Sequence, residues 1–313
     1  MGADQLTRSG QRAAPRHTHW REQFAWFRGD TRTAFLVLLP SIILVAIFIY
    51  GFIAWTGYIS LVDWKTAVEN YDWVGLKNWK ALFGMERFQW NMRNLAIYAA
   101  GFMSQCICFG FLLAVLLNQN VRGENVMRSI ILLPFAVSAI VTGVAWRWLM
   151  QPTTGVNLLL QKVGLANIDF AWASDITWGA LSITIASAWQ FTGYIMALYL
   201  AGLRGISDDV VEAARVDGAG TWQLYRYIVI PLLMPVTFSA VVLTGMGCIR
   251  VFDMVTVLKG PAFSTDMLAF HMYQSTFGLY RTSLGATIGF LMLLLSLLLV
   301  VPYLRGTRFE EGA

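Results

Sequence analysis

The chain has 313 residues, of which 57% are hydrophobic and only 13% are charged, with a formal net charge of +5. A soluble domain carries about 25% charged residues, so this composition excludes an ordinary water-soluble globular protein and indicates a protein that lies in lipid. The basic residues are spread over short segments without a cluster, which argues against nucleic acid as a partner.

The N-terminal segment, residues 1–33, is predicted to be a separate polar tail with six arginines. Trp20, Phe24 and Phe27 are spaced so that they share one helix face, which predicts contact with the membrane surface. For residues 1–18 a disordered tail is an equal alternative.

Six apolar segments follow, and each is close to the ~20 residues that a helix needs to cross a bilayer. Backbone polar groups cannot stay unpaired in lipid, so each segment is predicted to be helical. The predicted fold is therefore an all-α polytopic membrane protein with six transmembrane helices in a domain spanning 34–304, followed by a C-terminal tail at 305–313. The segments are 34–55, 95–117, 129–150, 178–203, 236–258 and 284–304.

The distribution of basic residues predicts the orientation. With the N-terminal tail inside, the inner segments hold thirteen Lys and Arg and the outer segments hold eight. Positive charge is enriched on the cytoplasmic side of membrane proteins, so both termini are predicted to be cytoplasmic. The outer boundary is then marked by an aromatic belt of Trp55, Trp90, Trp148 and Trp178.

A polar stretch at 207–235 separates the fourth and fifth apolar segments and reads as a helix-turn-helix within a loop at 204–235. Ser207 is a suitable N-cap, and Asp208 and Asp209 place negative charge in the first turn. Gly218 and Gly220 are predicted to end this first helix, because glycine tolerates the backbone of a helix C-terminus.

The second helix of this loop is predicted to start at Thr221 as its cap and to be broken at Pro231. The small residues between the two helices allow close approach of another backbone, which predicts a tip that fits a groove on a partner. The alternative is a plain connector between membrane helices.

The residues of this loop resemble the EAA loop of permease subunits in ATP-binding-cassette importers, and the sugar-importer permeases in particular. The matching residues are Glu212, Ala213, Ala214, Asp217, Gly218, Ala219, Ile228 and Pro231. Further resemblance lies in Gly75, Leu76, Asn78 and Trp79, in residues 122–157, and after the fifth segment, where LKGPAF replaces the usual T-G-G-G-P run. The likeness covers about residues 34–305.

The resemblance implies the type I importer permease fold, a place in the bacterial inner membrane, and import of a sugar or glycoside. It implies three kinds of protein partner: a second permease subunit forming a heterodimer, an ATPase dimer that docks on the EAA loop, and an external solute-binding protein. ATP and Mg belong to the ATPase, so no cofactor is expected on this chain. The residues expected to couple to the ATPase are Glu212, Ala213, Ala214, Asp217, Gly218, Ala219 and Pro231.

Polar residues at membrane depth are the candidates for the solute pathway. A lone Arg in the bilayer costs roughly 2.5–3.5 kcal/mol or more. Asp253 lies three residues after Arg250, so the two side chains are predicted to share a helix face. They border the solute pathway or form an internal pair that fixes helix packing. In the fourth segment Trp189, Gln190 and Tyr194 combine aromatic rings with an amide, as sugar sites do, although interhelical packing is the favoured alternative.

Asn94 is a further candidate near the outer mouth. No enzyme is predicted, because the chain lacks a Walker-type phosphate loop and its three histidines have no partners at catalytic spacing. Cys106, Cys108 and Cys248 lie in apolar runs and predict no metal site. A stand-alone secondary transporter or channel is the alternative function, and a polyol phosphate or a sulfonated sugar is the alternative solute.

Overall fold

A computed structural model describes residues 19–119, 122–151, 155–164, 175 and 179–310. Throughout these residues the chain is helical with connecting loops, and its only extended pairing is an isolated antiparallel bridge between Val62 and Trp73. The prediction of an all-helical chain is therefore confirmed.

Four helices are long and apolar enough to cross a membrane, and the number rises to six if each of two bent helix pairs is one span. The four helices each extend beyond, or closely match, an apolar segment of the sequence. They are α1 (His19–Ile59), α3 (Glu86–Leu117), α7 (Gly179–Arg204) and α14 (Thr282–Glu310).

The third apolar segment is not one continuous helix. It is divided into α4 (Glu124–Ala136) and α5 (Ala139–Leu149), which meet at an angle of 94°. Pro134 lies in the last turn of α4, and Val137 takes an extended conformation that ends the helix. The prediction of one uninterrupted span is therefore wrong. An apolar run by itself does not reveal a break in the helix.

The fifth apolar segment is also shorter than predicted as a helix. It begins as α11 (Met234–Ile249), and Arg250 follows as its C-terminal cap residue. Phe252 interrupts the helical backbone, after which α12 (Asp253–Val257) begins. Arg250 and Asp253 therefore belong to two different helices.

Short helices and two π-helical turns complete the described chain. They are α2 (Lys77–Gly84), α6 (Gly155–Lys162), α8 (Asp208–Val216), α9 (Thr221–Leu224), π1 (Tyr225–Val229), α10 (Ile230–Leu232), α13 (Leu268–Tyr273) and π2 (Gln274–Gly278).

The unit Thr56–Ala313 is organised around α7, whose inner face is almost fully buried. Long α3 packs along α7, and α11 closes the same core. At Gly193 the backbone of α7 touches the backbone of α4 around Ile131, which only a residue without a side chain permits. A second apolar cluster joins the start of α3 to α13 and α14.

The unit Met1–Trp55 contains the first part of α1. Side chains along 35–55 are apolar and mostly exposed within the isolated chain, as expected for a helix whose surroundings are lipid or another subunit. Residues 1–18 of the predicted tail and Trp178 of the predicted belt lie outside the described residues, so those predictions stay predictions.

The segment that resembles the permease pattern around Gly75 has a structural task. Gly75 takes a left-handed conformation with φ of 57°. Asn78 is buried, and its amide donates to the carbonyl oxygens of Ser60 at 3.0 Å and Val62 at 2.8 Å. The Asn78 amide thus satisfies two carbonyls just beyond the end of α1.

Candidate functional site

The first arm of the predicted helix-turn-helix is α8. Ser207 occupies the N-cap position, as predicted, but its side chain makes no capping hydrogen bond. Asp208 and Asp209 lie in the first turn, where their negative charges interact favourably with the helix dipole. The start of α8 is therefore stabilised by the charges of Asp208 and Asp209 rather than by a capping hydrogen bond from the Ser207 hydroxyl.

The turn between the two arms is a Schellman motif, which explains the residues Asp-Gly-Ala. Asp217 is the C-cap, and Gly218 follows with φ of 84°. The Ala219 amide donates to the Ala214 carbonyl at 3.0 Å, and the Gly218 amide donates to the Arg215 carbonyl at 3.0 Å. These two bonds satisfy carbonyls that the end of a helix leaves unpaired, and they require a left-handed residue at position 218.

The second arm begins one residue earlier than predicted. Gly220, not Thr221, is the N-cap of α9, and Thr221 is the first helical residue. The Gly220 amide donates to Gln223 Oε1 at 2.9 Å. Gln223, the third helical residue, therefore accepts the backbone N–H of the N-cap residue.

Pro231 does not break the second arm, which corrects the prediction. The chain passes through π1 and α10 and bends by 64° at Leu233 before α11. A proline ring clashes with the carbonyl four residues earlier in an α-helix. Here that residue is Tyr227, inside the wider π turn, so π1 accommodates the proline and the bend falls later.

The α8–α9 hairpin, residues 208–224, is anchored by one face and exposed on the other. Ala214 and Leu224 are buried in the core cluster. Glu212, Ala213, Asp217 and Gly218 are exposed, as is Pro231 beyond the hairpin. Two large apolar side chains are also exposed, since Val216 is 86% and Trp222 is 73% accessible. Apolar groups this accessible at the tip of a polar hairpin are a candidate surface for contact with another protein.

A cavity of about 520 Å³ lies behind the hairpin, where α3 and α7 end. Asn118 and Gln119 line it from α3, and Asp208, Glu212 and Arg215 line it from α8. Glu212 makes no ion pair within the described part of the chain. The nearby end of α7 is tied to α4 instead by Arg204, which pairs with Glu124 at 2.5 Å.

Arg250 and Asp253 are both exposed, and neither belongs to an ion pair among the described residues. The predicted internal pair is therefore absent from the described structure. Arg250 instead follows the C-terminus of α11 and Asp253 opens α12, so each charge complements the dipole of its own helix end. Charges are costly against lipid tails, so exposed charges at this break suit a surface that faces water or another subunit.

Gln190 takes part in helix packing. Its Nε2 donates to the Val137 carbonyl oxygen at 2.6 Å, at the break between α4 and α5. Tyr194 stacks on Phe135 of α4 with ring centroids 4.9 Å apart. Trp189 is about half exposed and contacts Trp146 edge-on at 6.1 Å. The structure thus brings these three side chains against the broken third segment.

Asn94 lies at the centre of an interaction between α3 and the loop that follows α12. Its amide donates to the carbonyl oxygens of Phe263 at 2.7 Å and Asp266 at 3.0 Å. Asn94 is fully buried, so this contact holds the loop rather than presenting a free amide.

A polar network that the sequence analysis missed surrounds Asn94. Arg87 donates from Nε to Asp266 Oδ2 at 2.6 Å and from Nη2 to Gln274 Oε1 at 2.7 Å. Asn91 Nδ2 donates to the same Asp266 oxygen at 3.0 Å, so its own oxygen faces His271 Nδ1 at 2.6 Å. Arg87 and Asp266 are 179 residues apart. The only sign of this network in the sequence is that Arg87 and Asp266 are charged residues near apolar segments.

Protonation of His271 is disfavoured by its surroundings. The pKa of His271 is lowered from 6.5 to about 4, first by burial and then by the nearby Arg87 guanidinium, while Asp266 partly opposes the change. His271 is therefore neutral near pH 7 and donates to Asn91 from Nδ1. No group of three or more His, Cys, Asp and Glu suited to a metal occurs within the described residues.

Comparison with known proteins gives consistent matches. A family model described as "Binding-protein-dependent transport system inner membrane component" matches residues 106–305. A probable ABC transporter permease protein of Pyrococcus horikoshii is 42% identical over 272 residues, covering 86% of this chain and 93% of that protein. A trehalose/maltose transport system permease protein of Thermococcus litoralis is 30% identical over 288 residues, covering 90% of this chain and 96% of that protein.

The fold also matches a solved structure. The crystal structure of a bacterial ABC transporter involved in the import of the acidic polysaccharide alginate contains a similar chain, with a TM-score of 0.76 and 21% sequence identity. The match covers 91% of this chain and 98% of that chain. At this identity the likeness concerns the fold.

Proposed function

The chain belongs to the family of binding-protein-dependent transport system inner membrane components, and we propose that it is the permease subunit of an importer of a sugar or glycoside. The family assignment confirms the resemblance drawn from the sequence and favours an importer permease over a stand-alone transporter or channel. The sugar is supported by the trehalose/maltose permease that shares 30% of its residues with this chain.

The single observation that carries the coupling proposal is the closed hairpin with its exposed apolar tip. The Schellman turn fixes the angle between α8 and α9 without any contact to another subunit. Val216 and Trp222 nevertheless remain accessible to water. A rigid element that leaves such groups uncovered is suited to a preformed cleft, so the hairpin docks on a separate ATPase.

Each coupling residue has a part in this proposal. Ala213 and Gly218 keep the docking face small, Asp217 and Ala219 close the turn, and Ala214 anchors the hairpin to the core. Glu212 is exposed beside the cavity behind α8 and pairs with a basic group of the ATPase when the hairpin is docked.

Movement of the hairpin passes to the membrane helices through the bend at Leu233. A side chain at Gly202 of α7 would lie 2.7 Å from Val236 Cγ2 and 2.9 Å from Leu233 Cδ2, so α7 and the bend are in tight contact. ATP binding closes the ATPase pair, draws the hairpins together and shifts α11 relative to its neighbours. The solute pathway between the membrane helices then alternates between inward and outward access by rigid-body movement.

Arg250 and Asp253 border the solute route in this proposal. Their exposure at a break in the fifth segment, without ion-pair partners among the described residues, supports this part of the proposal. Such groups face a water-filled cavity or a bundle interior. Trp189, Gln190, Tyr194 and Asn94 support the shape of that route through the packing contacts described above.

The assembly contains a second permease subunit, an ATPase dimer that carries ATP and Mg, and an external solute-binding protein. This chain supplies no cofactor of its own. Both termini and the α8–α9 hairpin face the cytoplasm, in line with the excess of Lys and Arg on that side.

Cross-linking tests the docking directly. In a variant whose three native cysteines are replaced by Ala, Val216→Cys is expected to cross-link to the ATPase in assembled complexes when treated with a short bis-maleimide. Val163→Cys, at a position that is 77% exposed and lies on a different segment, is the matched control and is expected to give no such product. Equal cross-linking of both positions, or of neither, would contradict docking through the hairpin.

A further inference from the structure

A small cavity lies beside the buried polar network, at the outer end of the predicted orientation. Its volume is about 160 Å³. Arg87 lines it from α3, Val255 lines it from α12, and Gln274 lines it from π2. The loop between α12 and α13 supplies the remaining wall, which consists of Lys259, Ala262, Phe263, Thr265 and Asp266, with Phe270 from α13.

The acceptor atoms of this cavity are already occupied. Asp266 Oδ2 accepts from Arg87 Nε and from Asn91 Nδ2, and Asp266 Oδ1 accepts from Arg87 Nη2 at 3.2 Å. Thr265 Oγ1 accepts from the Gly260 amide at 2.7 Å. The one carboxylate in the cavity is therefore neutralised by the guanidinium that lies beside it.

A positive donor remains. Lys259 is exposed, and its ammonium lies 5.6 Å from the centroid of the Phe270 ring. Among the described residues no carboxylate lies within ion-pair distance of Lys259. Gln274 accepts from Arg87 through Oε1, which leaves its Nε2 as a further donor. The polar groups that remain available in the cavity are therefore donors, and they suit a ligand with a negatively charged hydrogen-bond acceptor.

Two aromatic rings and a strained loop complete the site. Phe263 lies under the Arg87 guanidinium, with 5.5 Å between Cζ and the ring centroid, and Phe270 lies under Lys259. Ala262 holds φ of 49°, in a region that non-glycine residues seldom occupy. Backbone strain of this kind persists where the surrounding structure enforces it, and it is concentrated at functional sites.

We propose that this cavity binds a single hexose-sized ring that carries a carboxylate, with Lys259 as the residue that recognises the negative charge. A closed cavity of roughly 150 Å³ holds a six-membered ring the size of benzene, so the larger sugar ring lies only partly inside, with its carboxylate on the exposed side near Lys259. Rings with apolar C–H faces and polar edges fit a lining of Phe263, Phe270 and a few donors. That the ring is on its way through the membrane rests on the proposed permease function, whereas its binding to this cavity does not.

The position of the cavity indicates what the site does. Val255 of its lining belongs to α12, the helix that begins at Asp253. A ring held here would lie next to the break that carries Arg250 and Asp253. The cavity therefore forms an outer subsite, which distinguishes acidic from neutral sugars before the pathway proper.

Equilibrium dialysis of the purified full-length chain in lipid nanodiscs tests the proposal, with radiolabelled glucuronate and glucose as probes. Glucuronate is expected to bind saturably and about tenfold or more tightly than glucose, which is the effect of one charge-assisted hydrogen bond. Lys259→Gln is expected to weaken glucuronate binding about tenfold, and Lys259→Arg to preserve it. Binding is expected to weaken with added salt.

Lys77→Gln is the matched control, because Lys77 is exposed on the same predicted side and does not line the cavity. Equal affinity for glucose and glucuronate, unchanged binding by Lys259→Gln, or no saturable binding would each overturn the subsite. ATP-driven uptake measured separately tests the permease function, so the two hypotheses fail independently.

Discussion

The Gln190 amide donates a hydrogen bond of 2.6 Å to the carbonyl oxygen of Val137, which lies at the break between α4 and α5. A helix end leaves such carbonyls without a partner, and lipid offers no replacement. Gln190 therefore joins α7 to the kink of the third segment. The residue type suits a sugar ligand, but the structure uses the amide to stabilise a bend.

Gln190→Ala is expected to reduce the free energy of unfolding by about 1–2 kcal/mol, because the Val137 carbonyl loses its donor in a partly buried place. Thermal unfolding in detergent measures the loss. Gln105→Ala is the control, since Gln105 donates to the Gly101 carbonyl of its own helix and its removal is expected to cost less. A changed KM with equal stability of both variants would instead make Gln190 a pathway residue.

The turn of the hairpin predicts different outcomes for two glycines. Gly218→Val is expected to abolish uptake with the membrane domain intact, because a β-branched residue at φ of 84° is strained by at least about 1–2 kcal/mol. Gly220→Ala is the control, because Gly220 has φ of −69° and is expected to transport normally. ATP-driven uptake into proteoliposomes is the measurement.

Gly218→Asn separates strain from docking, because asparagine tolerates the left-handed conformation. Among the described residues no atom lies within 4 Å of a Cβ at Gly218, so added bulk there is expected to meet a partner. Loss of coupling in Gly218→Asn with normal assembly supports docking at this tip. Normal uptake by both Gly218 variants would refute it.

Acid is expected to destabilise the chain through His271. Its pKa is about 4 in the folded state and 6.5 in the reference state, so the unfolded chain binds more protons below pH 6.5. Stability is therefore full above about pH 6.5 and decreases as the pH falls towards 4, by up to about 3 kcal/mol.

The difference between the wild type and His271→Gln isolates this effect from the titration of carboxylates. Unfolding midpoints between pH 7.5 and 4.5 are expected to converge for the two proteins as the pH falls. Parallel pH profiles would show that His271 titrates normally in the folded protein.

Arg250→Met is expected to change kcat/KM for uptake by about tenfold, as loss of roughly 1.4 kcal/mol of interaction with solute or pathway water would do. The free energy of unfolding is expected to fall by less than about 1 kcal/mol, because the interaction that is lost is the one between Arg250 and the dipole at the C-terminus of α11. Arg281→Met, an exposed arginine outside the break, is the control. Loss of assembly in Arg250→Met would favour a structural role.

Much of the fold follows from local sequence. Apolar runs predicted the long helices, because burial in lipid depends on composition over some twenty residues. The turn at Gly218 was also predictable, since a left-handed residue at a helix end is a local requirement. The breaks were not. The bend at Leu233 depends on a π turn upstream of Pro231, and the charges of Arg250 and Asp253 do not by themselves show that the helix ends between them.

The polar network around Asn94 could not be predicted from residue spacing in the sequence, for a different reason. Arg87 and Asp266 meet only after α3 and the loop before α13 have packed together, and no periodicity connects positions 179 residues apart. Asn94 is a pathway candidate from its polarity near the outer mouth, and in the structure it belongs to the same contact. Its role in holding the loop became visible only from the two carbonyls that it binds.

The most direct test of the account is uptake by proteoliposomes that contain this chain and its partner permease, with and without the ATPase. The transported solute is the one that the external binding protein retains. The account predicts uptake only when the ATPase and ATP are present, and none when the α8–α9 hairpin carries Gly218→Val. Uptake at an equal rate without the ATPase would contradict a permease driven through this hairpin.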